Sequence, residues 1–354
     1  MSGPRIVIGA GGTAGHVVPA LAVADALRAE GAEVLFVGGE RAERQLVPEA
    51  GYELRTVRVV PLPRGRPVAA ARAALTDAAV LPHTLRLLAE IRPAAVLGAG
   101  GYVAGPTGLA AALRRIPLVL MEADSHPGLT TRLLAPLARR VCLAFAVEGR
   151  EGGRYLVTGR PVPAPATDRA AARNRFDIGP QETCVLVFGG SQGARSINHA
   201  AVEAFAGARF HVLHAAGDRD LPELESPGPH YDLRGFIGDF GQAIAASDLV
   251  VARAGGSIFE ITAHGKPAIL VPYPHATSDH QTANARFMER AGAAVVIPDR
   301  ELTSARLAQE VARILADPSR LGAMARASEE LARPDAARVI AGEVLAAVRS
   351  GGVR

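Results

Sequence analysis

Residues 250–285, VVARAGGSIFEITAHGKPAILVPYPHATSDHQTANA, constrain the fold more than any other stretch. They read in turn as an apolar strand (Leu249–Ala252), a Gly255-Gly256 turn, a helix, a second buried strand (Ala268–Val271) and a polar loop. Short, wholly apolar strands alternating with helices belong to a parallel sheet covered on both faces. Paired glycines after a strand let the backbone turn tightly and approach a ligand. Ser257 is expected to cap the helix, which carries Glu260 in its first turn; Gly265 ends it and Pro267 opens the next strand. Tyr273–Asn284 then crowds His275, Thr277, Ser278, Asp279, His280, Gln281 and Asn284 into one polar loop. Ligands of open α/β sheets bind at the carboxyl ends of strands, beside helix N-termini. A carboxylate there repels phosphate but accepts from two ribose hydroxyls, and amides and imidazoles suit a hydroxyl-rich ligand. The stretch predicts a nucleotide-sugar pocket.

The same pattern recurs along the chain. Arg5–Gly9 is a strand, followed by GAGGTAGH (Gly9–His16), a helix over Val18–Glu30 and a strand at Glu33–Val37. Gly51–Arg66 is an irregular strand region ending in a Pro/Arg loop, Val68–Ile91 reads as a helix interrupted near Pro82, and Ala94–Leu97 is a strand before a Gly100-Gly101-Tyr102 loop. Leu118–Met121, Val141–Phe145 and Tyr155–Val157 complete the strands of this half, with a helix running up to Arg140. Thr158–Asp168, TGRPVPAPATD, is proline-rich and marks a linker. The pattern then restarts: strand Val185–Phe188, loop Gly189–Ala194, a helix from about Ile197, strand Phe210–Ala215, then Phe236-Ile237 and a helix over Asp239–Ala246. Gly189-Gly190-Ser191-Gln192-Gly193 echoes Gly11-Gly12-Thr13-Ala14-Gly15, each between a strand and a helix, which argues for two similar α/β halves. The tail, Ser304–Val348, reads as helical, its last part beginning after Pro334.

Composition narrows the chemistry. Across 354 residues, 49% hydrophobic and 21% charged content predicts a globular chain with room for two domains. Lys266 is the only lysine, so there is no GxxxxGK[ST] phosphate loop, and Schiff-base chemistry is disfavoured. The net charge of +4, nearly all arginine, suits a nucleotide or an anionic membrane surface, or simply an arginine-rich proteome. Cys142 and Cys184 lie in apolar strands without metal spacing, so both are expected as buried thiols. The uncharged run Ala94–Leu113 is broken by six glycines and prolines and reads as strand, loop and helix rather than a membrane span. No secretory leader is expected at the N-terminus.

Two loops offer catalytic candidates. Gly9-x-Gly11-x-x-Ala14 is a loose dinucleotide fingerprint, with Glu40 near the place of a ribose-binding acid. His16, at a helix N-terminus after that loop, is a candidate general base, and Glu122 and Asp124 are its rivals.

These motifs, in this order, resemble the MurG family of peptidoglycan N-acetylglucosaminyl transferases over nearly the whole chain. Gly11-Gly12-Thr13-Ala14-Gly15-His16 is similar to that family's first glycine loop, with Ala14 for a glycine. Gly100-Gly101-Tyr102-Val103 with Gly105-Pro106 resembles its second loop, Gly189–Ala194 its third, and Arg253 through Gln281 and Asn284 its donor signature. Departures are Met121-Glu122-Ala123-Asp124 in place of His-Glu-Gln-Asn, Pro163 in place of an arginine with Arg160 nearby, and an Arg253–Glu260 turn one residue shorter.

The resemblance implies two Rossmann-like domains with parallel sheets facing across a cleft, the GT-B architecture. Residues 1–160 would form an acceptor- and membrane-side domain, 161–168 a linker, 169–334 the donor domain, and a helix at about 335–354 would pack back on the first. It implies an inverting transfer of GlcNAc from UDP-GlcNAc to the 4-hydroxyl of the lipid I muramyl pentapeptide, giving lipid II, at the cytoplasmic face of the membrane. No metal, cofactor or nucleic acid is implied. Donor contacts are expected from Thr13, Ala14, Gly15, Asp124, Arg160, Ser191, Gln192, Gly193, Ile237, Arg253, Gly255, Gly256, Ser257, Glu260, His280, Gln281 and Asn284. Peripheral attachment to an anionic leaflet is expected from Leu75–Leu88 beside Arg64, Arg66, Arg72 and Arg86. Asp218-Arg219-Asp220 has the spacing of a metal-holding DxD, but before Pro222 it reads as a solvated turn. The competing readings are a UDP-GlcNAc 2-epimerase-like enzyme, and an NAD- or nucleotide-binding protein without transferase activity.

Overall fold

The computed structural model describes residues 3–59, 80–190, 193–276 and 279–351. It divides into two compact units, Met1–Val162 with Asp335–Arg354, and Pro163–Pro334.

The first unit holds β1 (Arg5–Gly9), α1 (Ala14–Ala29), β2 (Glu33–Gly38), α2 (Ala42–Glu49) and β3 (Glu53–Thr56). Helix α3 (80–91) follows, then β4 (Ala95–Gly98), α4 (Ala104–Leu113), β5 (Leu118–Glu122), α5 (Leu129–Leu134), β6 (Arg140–Leu143) and β7 (Tyr155–Val157). The strands form one parallel sheet in the order β3-β2-β1-β4-β5-β6-β7. Each central strand is buried on both faces, which is why these segments read as apolar runs without alternation. One face packs Ile6, Ile8 and Leu97 against α1; the other packs Val7, Val96 and Leu120 against α3, α4 and α5.

In the second unit, α6 (Arg169–Arg175), β8 (Cys184–Phe188), α7 (Arg195–Ala204), β9 (His211–Ala215), β10 (Tyr231–Arg234) and α8 (Phe240–Ala246) come first. Then follow β11 (Leu249–Ala252), α9 (Ile258–Ala263), β12 (Ala268–Leu270), α10 (His280–Arg290), β13 (Ala294–Val296), α11 (Ser304–Leu315) and α12 (Pro318–Leu331). Its parallel sheet runs β10-β9-β8-β11-β12-β13. The chain then returns to the first unit as α13 (Ala336–Gly351), which packs Ile340, Ala341, Val344 and Ala347 on α1. That spacing makes one apolar helical stripe. An Arg140–Glu343 ion pair of 2.7 Å ties α13 to β6.

Several elements differ from the sequence reading. Helix α1 starts at Ala14, so His16 sits inside its first turn rather than before it. The segment Tyr273–Asn284 is not all loop: α10 begins at His280, after Asp279 reverses the chain at φ +52. Its inward face, Asn284, Ala285 and Met288, contains a polar residue, which hides the helical period. Helix α6 and strand β10 were not expected. Ser257 occupies the N-cap of α9 but its side chain makes no cap; its backbone (ψ −14) is already helical, whereas a capping residue is typically extended. Asp220 is no solvated turn residue. It is buried, accepting from Arg219 at 2.8 Å and from Asn198 Nδ2 at 3.0 Å.

Asn198 belongs to a buried polar chain. Its second amide hydrogen goes to the carbonyl of Ala216 at 2.9 Å, so its Oδ1 must accept from His214 Nε2 at 3.0 Å, and His214 Nδ1 accepts from the Tyr231 hydroxyl at 2.8 Å. Burial pushes His214 down to about 4 and keeps the ring neutral in this arrangement.

Candidate active site

In each sheet the strand order reverses once, between β1 and β4 in the first unit and between β8 and β11 in the second. Diverging connections leave a crevice at the carboxyl ends of such a strand pair. The glycine loops emerge there: residues 10–13 after β1, 99–103 after β4, the described residues 189–190 and 193–194 after β8, and 253–257 after β11.

In the first unit the two loops touch. Gly101, at φ +73, lies so close to the carbonyl of Gly11 that a Cβ would overlap it. Gly100 faces the His16 ring, whose Cδ2 would be 2.7 Å from a side chain there. His16 Nδ1 is 3.4 Å from Thr13 Oγ1. Arg160 is buried beside it, donating to the carbonyls of Gly15 at 2.5 Å and Ala123 at 3.1 Å, with Asp124 at 3.9 Å. Thus Thr13, Gly15, His16, Asp124 and Arg160 are brought together. Burial lowers the proton affinity of His16; Asp124 opposes this, Arg160 reinforces it, and Glu43 opposes it more weakly. Glu122 differs from its neighbours. Burial raises its pKa, and its oxygens accept from Gly128 N at 2.9 Å and Asp124 N at 3.3 Å, bracing the turn before α5.

One residue of this loop system escaped the sequence reading. Glu43, wholly buried on α2, accepts from Gly12 N at 2.9 Å and Gly39 N at 2.8 Å. Glu40, the sequence candidate for a ribose acid, is exposed. Of the fingerprint glycines, Gly11 thus abuts a carboxylate inside the protein, while Gly9 faces Thr107.

In the second unit, Gly193 (φ +71) approaches the carbonyl of Ala216 too closely for any side chain. Ser191, Gln192, Thr277 and Ser278 lie outside the described residues. Ile237 is buried. Arg253 is committed to the protein: it donates to Asp299 at 2.5 Å, Ser196 Oγ at 2.8 Å and the carbonyls of Val271 and Pro272 at 3.2 Å, beneath the Tyr273 ring. Asn284 donates to Ala254 O at 3.0 Å, and its buried Oδ1 meets no partner among the described residues. Gln281 accepts from Tyr273 N at 3.0 Å, its amide nitrogen near Gly255. Glu260, half-buried in α9, lies one turn into the helix that the Gly255-Gly256 turn opens. Asn284 and Arg253 therefore shape the turn from beneath, while Glu260, His280 and Gln281 are partly exposed beside it. Among the described residues, no group of three or more His, Cys, Asp or Glu side chains could hold a metal ion.

Comparison with known proteins decides the family. Residues 6–143 match the glycosyltransferase family 28 N-terminal domain, and residues 184–340 its C-terminal domain. A protein of Moorella thermoacetica is 40% identical over 370 residues, covering 98% of this chain and all of that protein. It is named UDP-N-acetylglucosamine–N-acetylmuramyl-(pentapeptide) pyrophosphoryl-undecaprenol N-acetylglucosamine transferase. A Pseudomonas aeruginosa protein of the same name is 40% identical over 357 residues, 98% of this chain and 99% of that one. The chain belongs to glycosyltransferase family 28.

Among solved structures, Acinetobacter baumannii MurG superposes with a TM-score of 0.78 at 27% identity, covering 97% of this chain and 99% of that one. The calicheamicin glycosyltransferase CalG4 superposes at 0.73 with 19% identity, covering all of both chains, and shares the fold. The two parallel-sheet α/β units are those of the GT-B glycosyltransferase fold. The family 28 assignment places the Gly11–His16 loop in its N-terminal domain match and the Gly189–Asn284 residues in its C-terminal one.

Proposed function

We propose that the chain transfers N-acetylglucosamine from UDP-GlcNAc to the muramyl pentapeptide carried on pyrophosphoryl-undecaprenol, forming the lipid-linked disaccharide of peptidoglycan synthesis. The observation that carries this reading is the 40% identity, across 98% of the chain, to a transferase named for that reaction. The geometry supports it. The acceptor's 4-hydroxyl attacks C1 of the sugar, the bond from C1 to the UDP oxygen breaks, and the hydroxyl proton passes to a base of the first unit. His16 fits that role best, because burial and Arg160 hold it neutral near pH 7, whereas the Glu122 oxygens are engaged by backbone amides. Donor binding belongs to the second unit, with Glu260 accepting from ribose hydroxyls and the Gly255–Ser257 backbone facing the diphosphate.

Attachment to an anionic leaflet belongs to the same reading, because the acceptor is a polyprenol lipid. No described helix is long and apolar enough to cross a membrane. In the stretch expected to carry attachment, Leu75, Arg64, Arg66 and Arg72 lie outside the described residues, and the described Leu81, Leu85, Leu87 and Leu88 pack into the core rather than facing a membrane. Among the described residues the exposed leucines lie instead on α4 (Leu109, Leu113), on α5 (Leu129, Leu133) and at Leu137 just beyond it, with Arg114, Arg115 and Arg132 exposed among them. Helices α4 and α5 pack closely where Gly108 meets Leu134. Incubation with UDP-GlcNAc and a short-chain lipid I analogue tests the whole reading. Disaccharide and UDP in equal amounts are expected; UDP-ManNAc formed without an acceptor would replace the reading by an epimerase.

A further inference from the structure

Glu43 sits in a cage of glycines. A Cβ at Gly11 or Gly39 would come within 2.7 or 2.8 Å of its Oε1, and one at Gly38 within 2.8 Å of its Cγ. The side chain is wholly buried, and its two oxygens accept from different loops, Gly12 N after β1 and Gly39 N after β2. A buried carboxylate without an adequate set of donors costs several kcal/mol, so this one holds its donors firmly. Gly12, at φ +109, turns its amide inward to meet it. That amide is therefore not directed at a ligand phosphate. Directly after it come Thr13, the N-cap of α1, and His16, three residues on.

We infer that Glu43 is a positioning residue for transfer: its carboxylate clamps the Gly11–Gly12 backbone to the β2–α2 turn and so fixes where α1 presents Thr13 and His16. The inference rests on the transferase reading for its kinetic consequence, but the clamp itself does not. Side chains at positions 11, 38 and 39 would press on Glu43, together with Val103 at position 11 and Leu54 at position 38, so glycine there answers to protein packing as well as to any ligand. This gives Gly11 of the fingerprint-like loop a physical cause inside the protein. Misplacement of a catalytic group by about 1 Å is enough to cost roughly a hundredfold in rate.

The test is Glu43→Gln in the full chain, which keeps the side chain's shape but turns one acceptor into a donor facing an amide N–H. Expected are a kcat lower by about 10- to 100-fold with the UDP-GlcNAc KM within about threefold of wild type. Amide exchange at Gly12 and Gly39 should be at least about tenfold faster, with the rest of the first unit as protected as before. Unchanged exchange at those two amides overturns the clamp. Faster exchange with unchanged kcat overturns the positioning role, and so does a kcat loss that merely follows the folded fraction. If Glu43→Gln does not fold, Gly39→Ala displaces the same carboxylate and the same split is expected. Failure of both to fold assigns Glu43 to stability alone and overturns the inference. A wild-type protein with protected Gly12 and Gly39 amides but no transfer would sink the transferase reading and leave the clamp standing.

Discussion

Arg160 donates to the carbonyl oxygen of Gly15 at 2.5 Å, bringing a residue from beyond β7 against the first turn of α1. A second donation, to Ala123 at 3.1 Å, makes the guanidinium a strut between the first turn of α1 and the loop after β5. Its charge and that of Asp124 act on His16 with opposite signs.

A base must be neutral to accept a proton, so kcat/KM, which reports the free enzyme, should fall on the acid side at a pH below 6.5, the ordinary histidine value, since burial lowers His16. Asp124→Asn removes a raising influence and should move that limb further to acid; Arg160→Gln removes a lowering one and should move it toward neutrality. His16→Ala should lower kcat by about 10²–10⁴. A pH–rate profile of the three variants checks all of this, and a common limb in both charge variants would exclude His16 as the base.

Glu260→Ala should weaken UDP binding by about 1.5–3 kcal/mol, the range for hydrogen bonds to a charged group. Calorimetry with UDP and with its 2′-deoxyribose analogue makes the measurement. The deoxy analogue should lose much less further affinity in the mutant; additive losses would place the ribose elsewhere.

Arg253→Met should act on stability before binding. Its guanidinium holds Asp299, Ser196 and two carbonyls, and removing one partner of a buried ion pair costs about 3–5 kcal/mol, less here because Asp299 is partly exposed. Urea unfolding should show a loss of about 2–3 kcal/mol. An unchanged midpoint with lost UDP affinity would return Arg253 to direct donor contact.

Lys266 shares the carbonyls of Ala245 and Ser247 with Arg169 at the end of α8. Burial first, then Arg169, lowers its pKa to about 8 against an ordinary 10.5. Between those values the unfolded chain binds more protons than the folded one, so the lysine's contribution to stability rises with pH across the window. Below pH 8 its burial penalty is fully present. Wild type should gain roughly 2 kcal/mol on Lys266→Met between pH 7 and pH 10, read from paired denaturation curves; parallel curves would refute it.

Leu129→Glu with Leu133→Glu should reduce co-sedimentation with anionic liposomes by about tenfold, since two apolar anchors are lost and two repelling charges gained. Turnover of a water-soluble short-chain acceptor should stay near wild type. Equal sedimentation of both proteins would move the attachment surface away from α5.

The alternation of apolar strands and glycine loops was legible because parallel strands buried on both faces leave unbroken apolar runs, as in Cys184–Phe188 and Leu118–Glu122. The loop residues near His16 were legible for the same reason: each follows a strand directly. Glu43 was not, because its two amide partners lie at sequence separations of 31 and 4 and nothing in its own neighbourhood announces them. The internal role of Arg253 was equally hidden, since Asp299 is 46 residues away. A motif shows that a position matters to the site; tertiary contacts decide whether its side chain faces the ligand or the protein.

Helix α13 closes one face of the sheet that β1 begins, although the whole second unit lies between them in sequence. During synthesis, Ile6, Ile8 and Leu97 are therefore made long before Ile340 and Val344 exist to complete their surroundings. Units generally fold as the ribosome releases them, so the middle of the chain can reach its final form while the first sheet still waits for its last layer. A nascent chain stalled just short of α13 would show a sticky β-sheet face, and chaperone capture should concentrate on that interval of translation.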